Sequence, residues 1–216
     1  MGQDDPSRKL DQPAAELRDR AGIGDEARGQ LVDGMTVRTF LDALSQNGHR
    51  IDAMKVLAHA LPKREAVWWA CLIAAEARGP SPEAARALEA ARAWVIDPTD
   101  AHRRSAFAAA QKAGLGTPAG CAAAAAYFSG GSLAPADLPI VAPPEPATAK
   151  LVVGTLTFCA VIQEPEKAPE KYAAFLRIGR EVAEGQRPWP QAAHDRPVPS
   201  SGEGVDAHAA ARRPRL

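Results

Sequence analysis

Two adjacent tryptophans, Trp68 and Trp69, lie in a stretch, Ala66 to Ala75, that carries no charged residue. If this stretch is helical, Val67 and Cys71, Trp68 and Leu72, and Trp69 and Ile73 form three i,i+4 pairs set about 100° apart around the axis. Together they cover well over half of its circumference. A helix that is apolar nearly all round needs neighbours on most sides. Its charges, Lys63, Arg64, Glu65, Glu76 and Arg78, fall at the two ends, where they reach solvent. The segment Leu61 to Leu72, LPKREAVWWACL, therefore predicts a central buried helix inside a multi-helix body.

Composition agrees with that body. Hydrophobic residues make up 46% of the chain and aromatics only 5%. Alanine supplies much of the difference, and alanine both favours helix and lets helices approach closely. An all-α fold follows. Twenty-six basic residues balance twenty-six acidic ones, so no overall field attracts nucleic acid or an anionic membrane. Cys71, Cys121 and Cys159 are odd in number and far apart, without metal-ligand spacing. They read as small buried hydrophobes in a reducing compartment. The longest apolar run, Leu151 to Ile162, is short of the roughly 20 residues that cross a bilayer. The polar start MGQDDPSRKL has no signal-peptide core, and a cytoplasmic location is expected.

Punctuation along the chain divides it into hairpins. Residues 1–34 are polar and contain glycine, and are expected to be a flexible N-terminal segment. A single helical domain is expected over 35–190. Thr36 is placed to cap its first helix, and Ile51, Met54, Leu57 and Leu61 give the second an apolar stripe. Gly79-Pro80 closes the tryptophan helix, and Ser81-Pro82-Glu83 opens the next with a cap, a proline and an acid. Thr99 to Ala113 is predicted helical, with Gly114 as its C-cap. Thr117-Pro118 then opens the alanine run GCAAAAAYF. Residues 132–147 are proline-rich, and Leu133, Leu138, Ile140 and Val141 suggest an extended strap packed on the helices. Two more helices follow, around Leu151 to Ile162 and Tyr172 to Val182. Residues 191–216 have the composition of a disordered tail. No repeat recurs at a fixed period, so a compact array of antiparallel hairpins is expected rather than a solenoid.

Motifs for chemistry are sparse. His59 and Cys71 are a conceivable base and nucleophile, but Cys71 lies in the least polar segment, where burial makes a thiol inert. Ser129-Gly130-Gly131-Ser132 follows a helix and lacks the strand and lysine of a phosphate loop; it reads as a C-cap and turn. Lys63-Arg64 is followed at once by Glu65, and the basic end Arg212, Arg213, Arg215 reads as a solubilising tail. The densest polar group is Asp97, Asp100, His102, Arg103 and Arg104, with Arg103-Arg104 expected on an exposed face. It is either ordinary solvated helix surface or a contact site. Trp189, between Pro188 and Pro190, either covers the edge of the domain or anchors a partner. Asp100, His102, Arg103, Arg104 and Trp189 are thus the candidate partner contacts. No residue suggests catalysis, a cofactor or a metal.

Blocks at 61–72, at 117–135 (TPAGCAAAAAYFSGGSLAP), at 143–144 (PP) and at 171–189 (KYAAFLRIGREVAEGQRPW) together resemble an uncharacterised bacterial family, a domain of unknown function. Cys121 stands where that pattern carries a tryptophan. The resemblance spans about 35–190 and brings no catalytic residues. It implies a loose association with type VI secretion gene neighbourhoods. The expected function is non-catalytic protein binding, as an accessory, adaptor or effector-chaperone protein. The alternatives are an enzyme whose site assembles only in the tertiary fold and a toxin-neutralising immunity protein. The expected partner is another protein, without nucleic acid or a membrane span.

Overall fold

Helix caps set the framework of the computed structural model, which describes residues 8–76, 81–135 and 137–191. Among them run ten α-helices: α1 (Arg8–Asp11), α2 (Asp25–Arg28), α3 (Val37–Gln46), α4 (Arg50–Ala60), α5 (Lys63–Ala74), α6 (Pro82–Ile96), α7 (Asp100–Ala113), α8 (Pro118–Tyr127), α9 (Ala147–Val161) and α10 (Ala168–Ala183). No strand occurs among the described residues. Side chains of Thr36, Ser81, Thr99 and Thr117 each accept a hydrogen bond from an orphan first-turn amide of α3, α6, α7 and α8. Gly114 takes the left-handed φ of 84° that ends α7. The expected Gly79-Pro80 turn and the tail beyond residue 191 lie outside the described residues.

The all-α array is as expected. Arg64 at the start of α5 donates to the carbonyls of Val95 and Ile96 at the end of α6, at 2.6 and 2.8 Å. That bond makes α5 and α6 an antiparallel pair. α5 also packs on α8, α9 and α10, while α6, α7 and α8 pack on one another and α4 joins α3, α9 and α10. Val67, Trp68, Trp69, Cys71 and Ile73 are all buried, so the tryptophan helix has neighbours on most sides. Trp69 donates from Nε1 to the Phe175 carbonyl of α10 at 2.9 Å. Gly179 lets α10 come this close: a Cβ there would sit 2.7 Å from both Trp69 Cε2 and Leu57 Cδ2. α8 is buried along its whole length, mostly through alanine. No helix among the described residues is long and apolar enough to cross a membrane.

Two sequence expectations are corrected here. Residues 9–34 are not a free segment: Leu10, Ala14, Leu17, Ala21, Ile23 and Ala27 are buried in the same core as α3 and α4. Ala14 donates to the Met35 carbonyl and Val37 to that of Gln12, both at 2.9 Å, which pins the segment to the start of α3. Its apolar spacing of four, three and four residues is helical, but Pro13 and the glycines interrupt it. The strap at 132–147 does not run extended: Leu133 donates to the Val141 carbonyl and Val141 to Ser132 Oγ, which closes it into a loop. Leu138, Ile140 and Val141 face solvent, and of the four apolar residues only Leu133 is half-buried. Polar bonds hold the strap, not apolar packing.

Candidate functional site

Helix α8 ends at Tyr127, and its last carbonyls need donors from outside the helix. The Phe128 and Ser129 amides serve Ala124 and Ala126, and Tyr127 is served by Arg103 of α7. Its guanidinium donates to the carbonyls of Tyr127 at 2.9 Å and Ser132 at 2.7 Å, and lies 4.7 Å from the centre of the Tyr127 ring. Asp100 accepts from Arg103 at 2.6 Å and from Arg104 at 2.7 Å; these two guanidiniums, Arg104 first, hold its carboxyl below the usual carboxylate range. Arg104 reaches on to the Ala134 carbonyl at 2.9 Å. Gly131, with φ of 66°, lets the chain pass the guanidinium, since a Cβ there would lie 2.8 Å from Arg103 Nε.

The sequence reading set Arg103 on an exposed face, and that is corrected: Arg103 is 3% exposed. The cluster spends its hydrogen bonds inside the chain, fastening the strap to the end of α8. Asp97 and Asp100 stay exposed, and His102 is half-buried with Nδ1 2.8 Å from the Asp97 carbonyl. Trp189 is half-buried against the core, with the Arg64 guanidinium 4.5 Å above its ring. Nearby, Trp68 Nε1 donates to the Arg187 carbonyl at 2.8 Å. Trp189 therefore covers the edge of the domain. Of the five candidate contacts Arg103 is buried, while Trp189 is linked towards His102 through Arg64, which sits over its ring and donates to the Ile96 carbonyl.

A larger feature went unread in the sequence. Five helices, α5, α6, α8, α9 and α10, leave a cavity of about 620 Å³ between them. Ile73, Leu88, Ala119 and Phe175 form its apolar walls, and the exposed carboxylates Glu76 and Glu89 stand at its mouth. Its cations differ in their circumstances. Lys171 donates to the carbonyls of Ala160, Gln163 and Glu164, capping the end of α9. Arg92 is half-buried, and its Nε is enclosed without any hydrogen-bond partner. A second hollow of about 160 Å³ lies beside His59, between Lys55 and Lys150. Burial holds the His59 imidazole below its ordinary range.

A family of unknown function, DUF6931, matches residues 40–183, well over half of the chain. The chain belongs to this family. Its matched span runs from α3 to the end of α10 and includes the cavity and the strap. The packed N-terminal segment and Trp189 fall outside it. No curated protein and no solved structure matches the chain.

What these groups can do chemically is limited by burial. Cys71 is enclosed in α5, and desolvation pushes its thiol up to about 12, against a small opposing pull from Arg92. Cys159, on the cavity wall, is pushed up to about 12 by burial and then by Glu76. Cys121 is raised by burial as well. His59 faces Lys55 and Lys150 across the small hollow, and no bond joins it to Cys71 among the described residues. At pH 8 a thiol with a pKa of about 12 is ionised roughly once in ten thousand molecules. Native protein mixed with a disulfide reagent such as DTNB at pH 8 is expected to react far more slowly than free cysteine. Unfolded in guanidinium, all three thiols should react at the ordinary rate. A native thiol that reacts faster than free cysteine would mark a nucleophile and contradict this description.

Proposed function

We propose that this chain is a non-catalytic protein-binding domain, and that the strap is its contact surface. One observation carries the reading: Ile140 is 83% exposed, beside the exposed Leu138 and Val141, on a loop closed at its base. Leu133 donates to the Val141 carbonyl at 2.8 Å, and Arg103 and Arg104 grip Ser132 and Ala134. A proline-rich segment fixed in this way has little conformational freedom left to lose on binding. Exposed apolar side chains grouped on one fixed loop are a common mark of a protein-contact surface. Resemblance to a family associated with type VI secretion neighbourhoods supports an accessory, adaptor or effector-chaperone role.

Leu138→Ser, Ile140→Ser and Val141→Ser combined should leave thermal unfolding unchanged, because none of the three is buried. The same variant, used as bait in the native host, should lose a partner that the parent chain retains. Retention of every captured protein by the triple variant would sink the assignment of the strap.

A further inference from the structure

The cavity between α5, α6, α8, α9 and α10 has no part in the reading above, and it has the make-up of a ligand site. Its volume of about 620 Å³ falls within the roughly 300–1,000 Å³ of small-molecule pockets. Such pockets are largely apolar with few polar groups, and here the polar groups can be told apart by what they already do. Lys171 is committed to the end of α9. Glu164, also on the lining, pairs with Lys167. Glu76 and Glu89 are exposed at the mouth, where water solvates them.

Arg92 is the exception. It forms no ion pair or hydrogen bond among the described residues, and its Nε is closed off from solvent. An enclosed guanidinium N–H without an acceptor costs free energy that an acceptor in the cavity would recover. Helix ends of both signs line the same space, the first turns of α6 and α8 and the last turns of α5 and α9, so the charge preference rests on Arg92. The carboxylates at the mouth disfavour a wholly anionic ligand and leave room for one charge at the inner wall. We propose that the cavity binds a small amphiphile with an apolar body and one anionic head, the head pairing with Arg92 and the body lying against Ile73, Leu88 and Phe175.

Decanoate, well below its micellar concentration, is a suitable probe for titration calorimetry on the full chain, with decanol as the neutral comparison. Decanoate should bind at a single saturable site, at least tenfold more tightly than decanol. Arg92→Met, which keeps an unbranched apolar stem, should weaken decanoate at least tenfold and leave decanol unchanged. Leu88→Trp, which fills the space, should abolish both. The proposal is overturned if decanoate shows no saturable binding, if decanol binds the parent chain equally well, or if binding survives Leu88→Trp. The comparison of decanoate with decanol needs no variant, so a misfolded substitution does not shield the idea. Loss of strap binding would leave these results untouched, and the reverse holds too.

Discussion

Trp69→Ala is expected to lower stability by about 3–5 kcal/mol, the range for removing a fully enclosed large aromatic side chain. Trp69 has no exposed surface, and it is seated between Leu57 of α4 and Gly179 of α10. Relaxation into the space is hindered because both neighbours are already in contact with the indole. Truncation also removes the indole N–H that the Phe175 carbonyl accepts in addition to its own helical bond. A domain of this size has a total stability on the order of 5–15 kcal/mol, so the variant should melt many degrees lower or fail to accumulate. Trp69→Phe should restore part of the loss, by refilling volume without the N–H. Urea unfolding of purified protein checks both, and an unchanged midpoint for Trp69→Ala would show that α10 does not depend on this contact.

Arg103→Met is expected to cost about 2–4 kcal/mol, for a different reason. The volume is roughly conserved, but the carbonyls of Tyr127 and Ser132 lose a charged donor at once. Little of the cost comes from Asp100, whose carboxylate is mostly in water and is therefore weakly coupled. Arg103→Lys keeps the charge but not the fork, and one ammonium cannot reach both carbonyls in the same geometry. The lysine variant should remain well below the parent in urea midpoint. Both variants should also be cleaved faster in the strap by chymotrypsin, since its base is no longer fastened. An Arg103→Lys protein equal to the parent in midpoint and in cleavage rate would refute the fastening role.

Local rules made much of the fold legible. Thr36, Ser81 and Thr117 cap the helices that their spacing announced, and the uncharged run from Ala66 to Ala75 is buried because water has nothing to solvate there. The rest depends on contacts that a one-dimensional pattern does not hold. Nothing in the Asp97–Arg104 spacing indicates that Arg103 turns inward to a helix end 24 residues on. Apolar residues in the strap were read as packed because hydrophobicity was the only cue, while the bonds that hold the strap come from arginines elsewhere. The cavity is further still from view. Its walls come from the ends of α5 and α9, the start of α8 and one face each of α6 and α10, which only the fold brings together. The one hint was Arg92, a charge on the same side of α6 as Leu88.

The placement of α8 has a consequence for how such a chain can change over time. In a stacked-repeat protein each unit touches only its neighbours, so units can be duplicated or deleted without disturbing the others. Here α8 is enclosed by α5, α6, α7 and α9, which precede and follow it in the chain. Its alanines leave no slack to be taken up by repacking, because there is almost no side chain to trim. None of α5, α6, α7 and α9 can be removed without opening this helix to water. The five helices around and including α8 therefore stand or fall as one unit.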